Sequence, residues 1–383
     1  MSETKWANWA NDIWKKICNK MEAQRDRVGL KIPYIAVNGE YSDRMNVNIY
    51  WWTNGFWPGI LWLLNHGTND KKYAQLALEI ETIFDKSLDG YVGLHHDVGF
   101  MWNLSAVANY RQTGNERSKV RGLHAASLLA GRYNPRGRYL RSWNKGTFDG
   151  VYFDYNGWII ADCMMNLPLL YWASDELNDP SFRYIAIEHA NTAMQTLVRE
   201  DGSCNHIAVL NPENGELLET YRGQGYDIGS SWSRGQAWAL YGFLLSYRHT
   251  KDVKYLDTAK RIAHYFIANV SATDYISRVD FRAPIEPVKI DTSATCIAAC
   301  GLLHLVDVVD GYDKDFYKNA AMNMLLAVEK QYCNWDINFD SIVQMGSAQY
   351  HNKLEEFHVP LIYADYFFIE AVHKLLYPDF ICW

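Results

Sequence analysis

The chain has no run of lysine or arginine: its 37 basic and 44 acidic residues are dispersed over 383 positions and leave a net charge of −7. A phosphate backbone or an anionic membrane surface is recognised by clustered positive charge, so neither nucleic acid nor membrane is expected as a partner. Long apolar runs are lacking too; the longest, around 159–173, is interrupted by Asp162 and Asn166 and is too short to span a bilayer. Charges are scattered through the N-terminal segment "MSETKWANWANDIWKKICNKM", so no export signal is read and a cytoplasmic location is expected. Metal-type CxxC pairs are missing: the seven cysteines are an odd number, Cys296 and Cys300 stand at i,i+4 in an apolar segment, and all are expected to be reduced core thiols. There is no GxSxG elbow, no GxxxxGK[ST] loop, no GxGxxG turn after a strand and no HExxH pair. Nucleotides, flavins and catalytic zinc are therefore not expected, and neither a cofactor nor a metal is assigned.

Aromatic residues, by contrast, are abundant at 15%, with 15 Trp and 26 Tyr. That is more flat surface than packing a core of this size requires, which suggests a ligand with flat faces. Apolar spacing at i, i+3, i+4 and i+7 gives about twelve helical stretches, near 3–25, 52–67, 71–87, 97–113, 115–132, 156–176, 181–199, 232–249, 253–270, 292–310, 313–332 and 359–377. Two kinds alternate. Segments such as "NGFWPGILWLL", "YNGWIIADCMM" and "DTSATCIAACGLL" are apolar nearly all round and belong inside; partners such as "DKKYAQLALEIETIFDKSL" and "DVKYLDTAKRIAHYFIANV" carry one charged face and belong outside. Six inner and six outer helices predict an all-α (α/α)6 barrel, a six-hairpin toroid spanning 1–383 as a single domain. Strand signals are few, the best being a hairpin from "GSCNHIAVLNP" into "GELLETYRG".

In such a toroid the inner-helix starts gather at one mouth, and chemistry is expected there. Within "YNGWIIADCMMNLPLLYWAS", residues 155–174, Asp162 is the only carboxyl group. Placed on the second turn of a helix among apolar neighbours, it would hold a proton, as a general acid must; a buried cap or an arginine pair is the other reading. In "GLHHDVGFMW", Asp97 follows His95 and His96. Adjacent histidines on a helix diverge, so a metal is disfavoured, and Asp97 reads either as an N-cap or as the second carboxyl of an acid/base pair. A third cluster, "ETYRGQGYDIGSSWSRGQAWALYGF", holds Arg222, Gln224, Asp227, Trp232, Arg234, Gln236 and Trp238. A guanidinium fork for a carboxylate, indole faces for a pyranose and an amide for hydroxyls together describe an acidic sugar. Arg234 neutralising Asp162 or Asp227, and Trp238 as core, are the alternatives. His206 in "DGSCNHI" is either a solvated loop residue or a substrate contact.

Together "TNGFWPGILWL", "HHDVGFMW", "WIIADCMMNLPLLYWA", "DGSCNH", "GYDIGSSWSRGQAWALYGF" and "DTSATCIAACGL" resemble the unsaturated glucuronyl hydrolases of glycoside hydrolase family 88, over most of the chain from about Trp51 to "YADYFFIEAV". The resemblance implies an (α/α)6 barrel and a hydration reaction on lyase-made glycosaminoglycan di- and oligosaccharides that end in a C4=C5 unsaturated uronate. The enzyme protonates C4, water adds to C5, and the hemiketal rearranges to release the unsaturated acid in its keto form. By the same resemblance Asp162 is the acid/base carboxyl and Asp97 the second essential aspartate, charged and beside His96. His206 and Gln224 are hydroxyl contacts, Trp232 and Arg234 meet the sugar, and Trp57 and Trp238 stack on it. Members that favour sulfated fragments hold the sulfate in a Ser/Lys loop; here the matching "GSAQYHNKLEEF" offers Lys353 and Ser347 but has Ala348 and His351 where serines are expected.

The alternatives are an unsaturated rhamnogalacturonyl hydrolase, a sugar epimerase or isomerase on the same barrel, and a catalytically silent sugar-binding protein. Hydration abolishes the ultraviolet absorbance of the unsaturated uronate, whereas epimerisation or binding leaves it. The chain is expected to act as a monomer or homodimer.

Overall fold

Apolar periodicity becomes helix along most of the computed structural model, which describes residues 3–45, 47–148, 151–351 and 356–383. In chain order the α-helices are α1 (Glu3–Val28), α2 (Phe56–Thr68), α3 (Lys71–Ile83), α4 (Asp85–Gly90), α5 (Val98–Trp102), α6 (Ala108–Thr113) and α7 (Glu116–Ala130). They continue with α8 (Pro168–Leu177), α9 (Pro180–Thr196), α10 (Ser233–Thr250), α11 (Val253–Ser271), α12 (Thr292–Val306), α13 (Gly311–Tyr332) and α14 (Ile362–Leu376). A π turn, Asn103–Val107, joins α5 to α6 as one inner helix. The inner set is α2, α5–α6, α8, α10, α12 and α14; every residue of α12 is buried, whereas its outer neighbour α13 buries one stripe. α14 packs on α12 and on α2, closing the ring, and α1 covers α14 from outside. This is the expected (α/α)6 barrel.

Short turns at one end decide which end can carry a site. α2, α6, α8 and α10 each stop at a left-handed residue, Asn69, Gly114, Asn178 and Lys251 respectively. The residue after each, Asp70, Asn115, Asp179 or Asp252, caps the following outer helix by accepting a backbone N–H. Two residues thus reverse the chain, leaving no room for a pocket. Return connections from outer to inner helices are long, lie at the opposite end, and surround the inner-helix starts.

One expectation fails there. Residues 156–176 are not one helix: a strand, Trp158–Ile160, leads into a 3-10 turn, Ala161–Met165, and α8 starts only at Pro168. A short run rich in Trp and Ile fits a buried strand as well as a helix, and Pro168, lacking an N–H, marks a new helix start. The strand pairs antiparallel with Ile207–Leu210, which pairs with Leu217–Tyr221, the hairpin expected from sequence.

Candidate active site

Four aspartates stand at inner-helix starts, and the fold consumes two of them. Asp291 caps α12, accepting from the backbone of Ser293 (3.0 Å) and Ser347 (3.2 Å). Asp365, in the first turn of α14, accepts from Ile342 N (3.0 Å), Val343 N (2.7 Å) and the Tyr41 hydroxyl (2.9 Å). Asp97 and Asp162 are treated differently. The Asp97 carboxyl takes an amide bond from Asn166 (3.1 Å), and Asp162 Oδ2 lies 3.3 Å from His206 Nε2, out of line for a hydrogen bond. Neither carboxyl is committed to holding backbone, so both remain available for chemistry.

Asp97 does not cap α5; its carboxyl bonds none of that helix's N–H groups. His95 and His96 precede the helix and therefore do not diverge: their rings lie 5.2 Å apart. His96 Nδ1 is 2.7 Å from the Ser142 carbonyl. A carbonyl only accepts, so Nδ1 carries the proton and Nε2 presents a lone pair to Asp97 Oδ1, 3.1 Å away. Burial holds His96 well below its ordinary range and pushes His95 down to about 3. The Asp97 carboxyl is raised well above the usual aspartate range, first by burial and then by the negative charge of Asp162, against a smaller opposing effect from the Asn166 bond. The two atoms are close but out of line for a hydrogen bond. Burial and the charge of Asp162 thus favour a proton on Asp97, contrary to the charged role expected for it. Donor atoms of His95, His96 and Asp97 also lie within 4.8 Å of one another, a spacing that suits a small cation as well as a shared proton.

His206 is buried rather than solvated. Its Nδ1 accepts the Gln224 backbone N–H (2.9 Å), so its Nε2–H faces Asp162, and its ring lies 4.2 Å from that of Trp232. The Gln224 side chain donates to Ala348 O (2.7 Å), tying down the loop opposite.

Arg234 is not the open fork that sequence suggested. It is 1% exposed; Nη1 binds Asp291 (2.7 Å) and Ser347 O (2.5 Å), and Nη2 binds Ala348 O. A guanidinium this deep needs a counterion, and Asp291 supplies it in place of Asp162 or Asp227. Among the described residues, only Nε stays unpartnered. Replacing Asp291 by Asn is expected to destabilise the fold by about 3 kcal/mol, because Arg234 would stay charged and buried without its partner. Chemical denaturation reads this directly, and an unchanged midpoint would contradict the pairing.

The aromatic assignments divide. Trp57 is core: it is 1% exposed, and its Nε1 donates to Gly29 O (3.1 Å) at the end of α1, outside the inner ring. Trp52, five residues earlier, is half-buried among inner-helix rings instead. Its ring lies 5.4 Å from Phe100, 6.4 Å from Trp238 and 5.1 Å from Tyr363, linking the starts of α2, α5, α10 and α14. Trp238 is fully buried beneath it. Trp143, in the loop after α7, sits 5.8 Å from His96 and continues through Tyr155 and Trp158 to Tyr221, an aromatic wall absent from the sequence reading. Partly exposed loop aromatics beside an acid were the signal for it. Lys353 lies outside the described residues.

Residues 32–343 match the profile of Glycosyl Hydrolase Family 88. The chain belongs to that family. This family 88 protein is 35% identical over 355 residues to the unsaturated glucuronyl hydrolase of Bacillus sp. (strain GL1), covering 91% of its own length and 92% of the relative's. It is 33% identical to the unsaturated chondroitin disaccharide hydrolase of Streptococcus agalactiae, over 86% of its own length and 82% of the relative's. Its fold superposes with a TM-score of 0.83 on a mutant of the unsaturated glucuronyl hydrolase from that streptococcus, complexed with dGlcA-GalNAc6S. That pair shares 28% identity and covers 98% and 94% of the two chains. A family 88 chain is a glycoside hydrolase.

Proposed function

We propose that this enzyme releases the unsaturated uronic acid from the non-reducing end of lyase-generated glycosaminoglycan di- and oligosaccharides by hydrating the C4=C5 vinyl ether. The observation that carries this is the pair Asp97 and Asp162: acids at neighbouring helix starts, electrically coupled, and uncommitted to the backbone. An alkene carbon is a poor base, so protonating it calls for a positioned acid in a site that limits bulk water. Asp162, acting in its protonated form as the general acid, gives its proton to C4 and becomes a carboxylate. Water adds to the cation that develops at C5 and returns a proton to the carboxylate. The C5 hemiketal then opens to a ketone, its ring oxygen stays on C1, and C1 expels the next sugar as an alcohol. One water is consumed and nothing is oxidised.

Trp52 and the wall from Trp143 to Tyr221 suit sugar rings, and the buried His206 ring lies against Asp162. The unpartnered Arg234 Nε and Tyr363 hydroxyl suit the uronate carboxylate, since each is a buried polar group that a ligand would satisfy. No described helix is long and apolar enough to cross a membrane, and all seven cysteines are unpaired, which supports a reducing, cytoplasmic setting.

Turnover is tested by following the double-bond absorbance with unsaturated disaccharides from hyaluronan, chondroitin and pectin. Loss of absorbance with the first two is expected; persistent absorbance, or consumption of the pectin-derived substrate alone, would overturn the assignment. Trp52→Ala is expected to raise KM about tenfold by removing a stacking face, with stability near wild type. Trp57→Ala is expected to cost about 3 kcal/mol of stability, measured by denaturant titration, with KM unchanged. The reverse pattern would return the stacking role to Trp57.

A further inference from the structure

Asn166 is a polar residue in the apolar run "ADCMMNLPLL", fully buried at the end of the 3-10 turn that carries Asp162. A buried amide needs its hydrogen bonds made, and here all of them lead to the reaction centre. Its oxygen accepts the Phe100 backbone N–H at 2.9 Å. A backbone N–H can only donate, which fixes the amide orientation. The NH2 group therefore donates, to Asp97 Oδ1 at 3.1 Å and to the main-chain oxygen of Asp162 at 3.2 Å. One side chain thus grips the first turn of α5, one carboxyl of the pair, and the backbone that carries the other.

The surroundings are built to admit it. A Cβ on Gly99 would stand 2.5 Å from Asn166 Cα and 2.6 Å from its Oδ1, so only glycine lets the two segments approach this closely. The remaining charged or titratable neighbours, apart from Cys163 on the same turn, come from other elements. His96 Nε2 lies 3.1 Å from Asp97 Oδ1, His95 Nδ1 lies 3.6 Å from Oδ2, and Arg132 and Cys163 also act electrostatically on or with Asp97. His206 and Arg234 face Asp162. None of these bridges the two aspartates.

We propose that Asn166 is a positioning residue for the reaction, fixing the Asp97 carboxyl relative to the segment that carries Asp162. The inference rests on the reading that these two acids perform the hydration. A purely structural amide would affect stability alone; a positioning amide affects kcat and its pH dependence.

The test compares Asn166→Ala and Asn166→Asp with wild type, using an unsaturated hyaluronan disaccharide, and records kcat, KM, the pH profile and the melting midpoint. Asn166→Ala is expected to lower kcat about 100-fold with KM within about threefold, the scale of a displaced catalytic group. Asn166→Asp keeps the volume and the Phe100 bond but replaces the donor with an oxygen bearing negative charge. It is expected to move the pH profile upward, because added negative charge and a lost donor both favour the protonated pair. Wild-type kcat and an unmoved profile in either folded variant, whatever the melting midpoint, would overturn the proposal. A wild-type enzyme that leaves the absorbance intact would instead overturn the assigned reaction.

Discussion

Asp162→Asn is expected to give a folded protein whose kcat on the unsaturated disaccharide falls by about 10³ to 10⁴, or about 4 to 5.5 kcal/mol in the barrier. Folding should survive because the side chain does little for the fold: the Asp162 carboxyl accepts no backbone N–H among the described residues, and its partner is His206 at 3.3 Å. Asparagine keeps the volume and a polar oxygen facing His206. What it lacks is a transferable proton, so KM should change far less than kcat. Asp365 provides the contrast. With two backbone N–H groups and the Tyr41 hydroxyl on its oxygens, Asp365→Asn should unsettle the fold instead. An Asp162→Asn enzyme with near-native turnover would remove Asp162 from the mechanism.

Asp97→Asn is expected to be at least as damaging to turnover and yet more stable than wild type at neutral pH. Burial and the charge of Asp162 raise the Asp97 carboxyl in the folded state. A carboxyl raised on folding gives its full stability below its unfolded value, about 3.9, and loses it as pH climbs through the folded value. Wild type should therefore weaken as pH rises through that window, relative to a variant with nothing to ionise there. The gap should be on the order of 1 kcal/mol per unit of raised pKa and should close near pH 4. Denaturant titrations of both proteins from pH 4 to pH 9 would read it. A variant less stable at pH 8 than at pH 4, relative to wild type, would mean that Asp97 is an ionised, stabilising carboxylate.

The barrel was legible because its signal is local. Inner helices are apolar all round and outer helices are not, and the Asn-Asp and Lys-Asp turns between them carry their own capping chemistry. Asp97 and Asp162 were legible as acids at helix starts, where a carboxyl in apolar surroundings demands a reason. The raised Asp97 carboxyl was not, since its surroundings are built from contacts distant in sequence: His96 with a carbonyl 46 positions on, and Asp97 with an amide 69 positions on. Arg234 shows the same limit, for its counterion is 57 residues away. The strand at Trp158–Ile160 was misread because three apolar residues carry no usable period, and its partner strand lies beyond an intervening helical hairpin. Trp57 and Trp52 differ only in which side of the inner ring they face, which a window of sequence does not encode.

The claim on which the rest depends is that a carboxyl proton from this pair reaches C4 of the substrate. Turnover in heavy water, with the released acid examined by NMR within the first few turnovers, tests it most directly. The expected result is one deuterium at C4, placed on a single face by wild type and absent in reactions with Asp162→Asn. A released uronate that still carries its double bond and its original C4 hydrogen would contradict the claim.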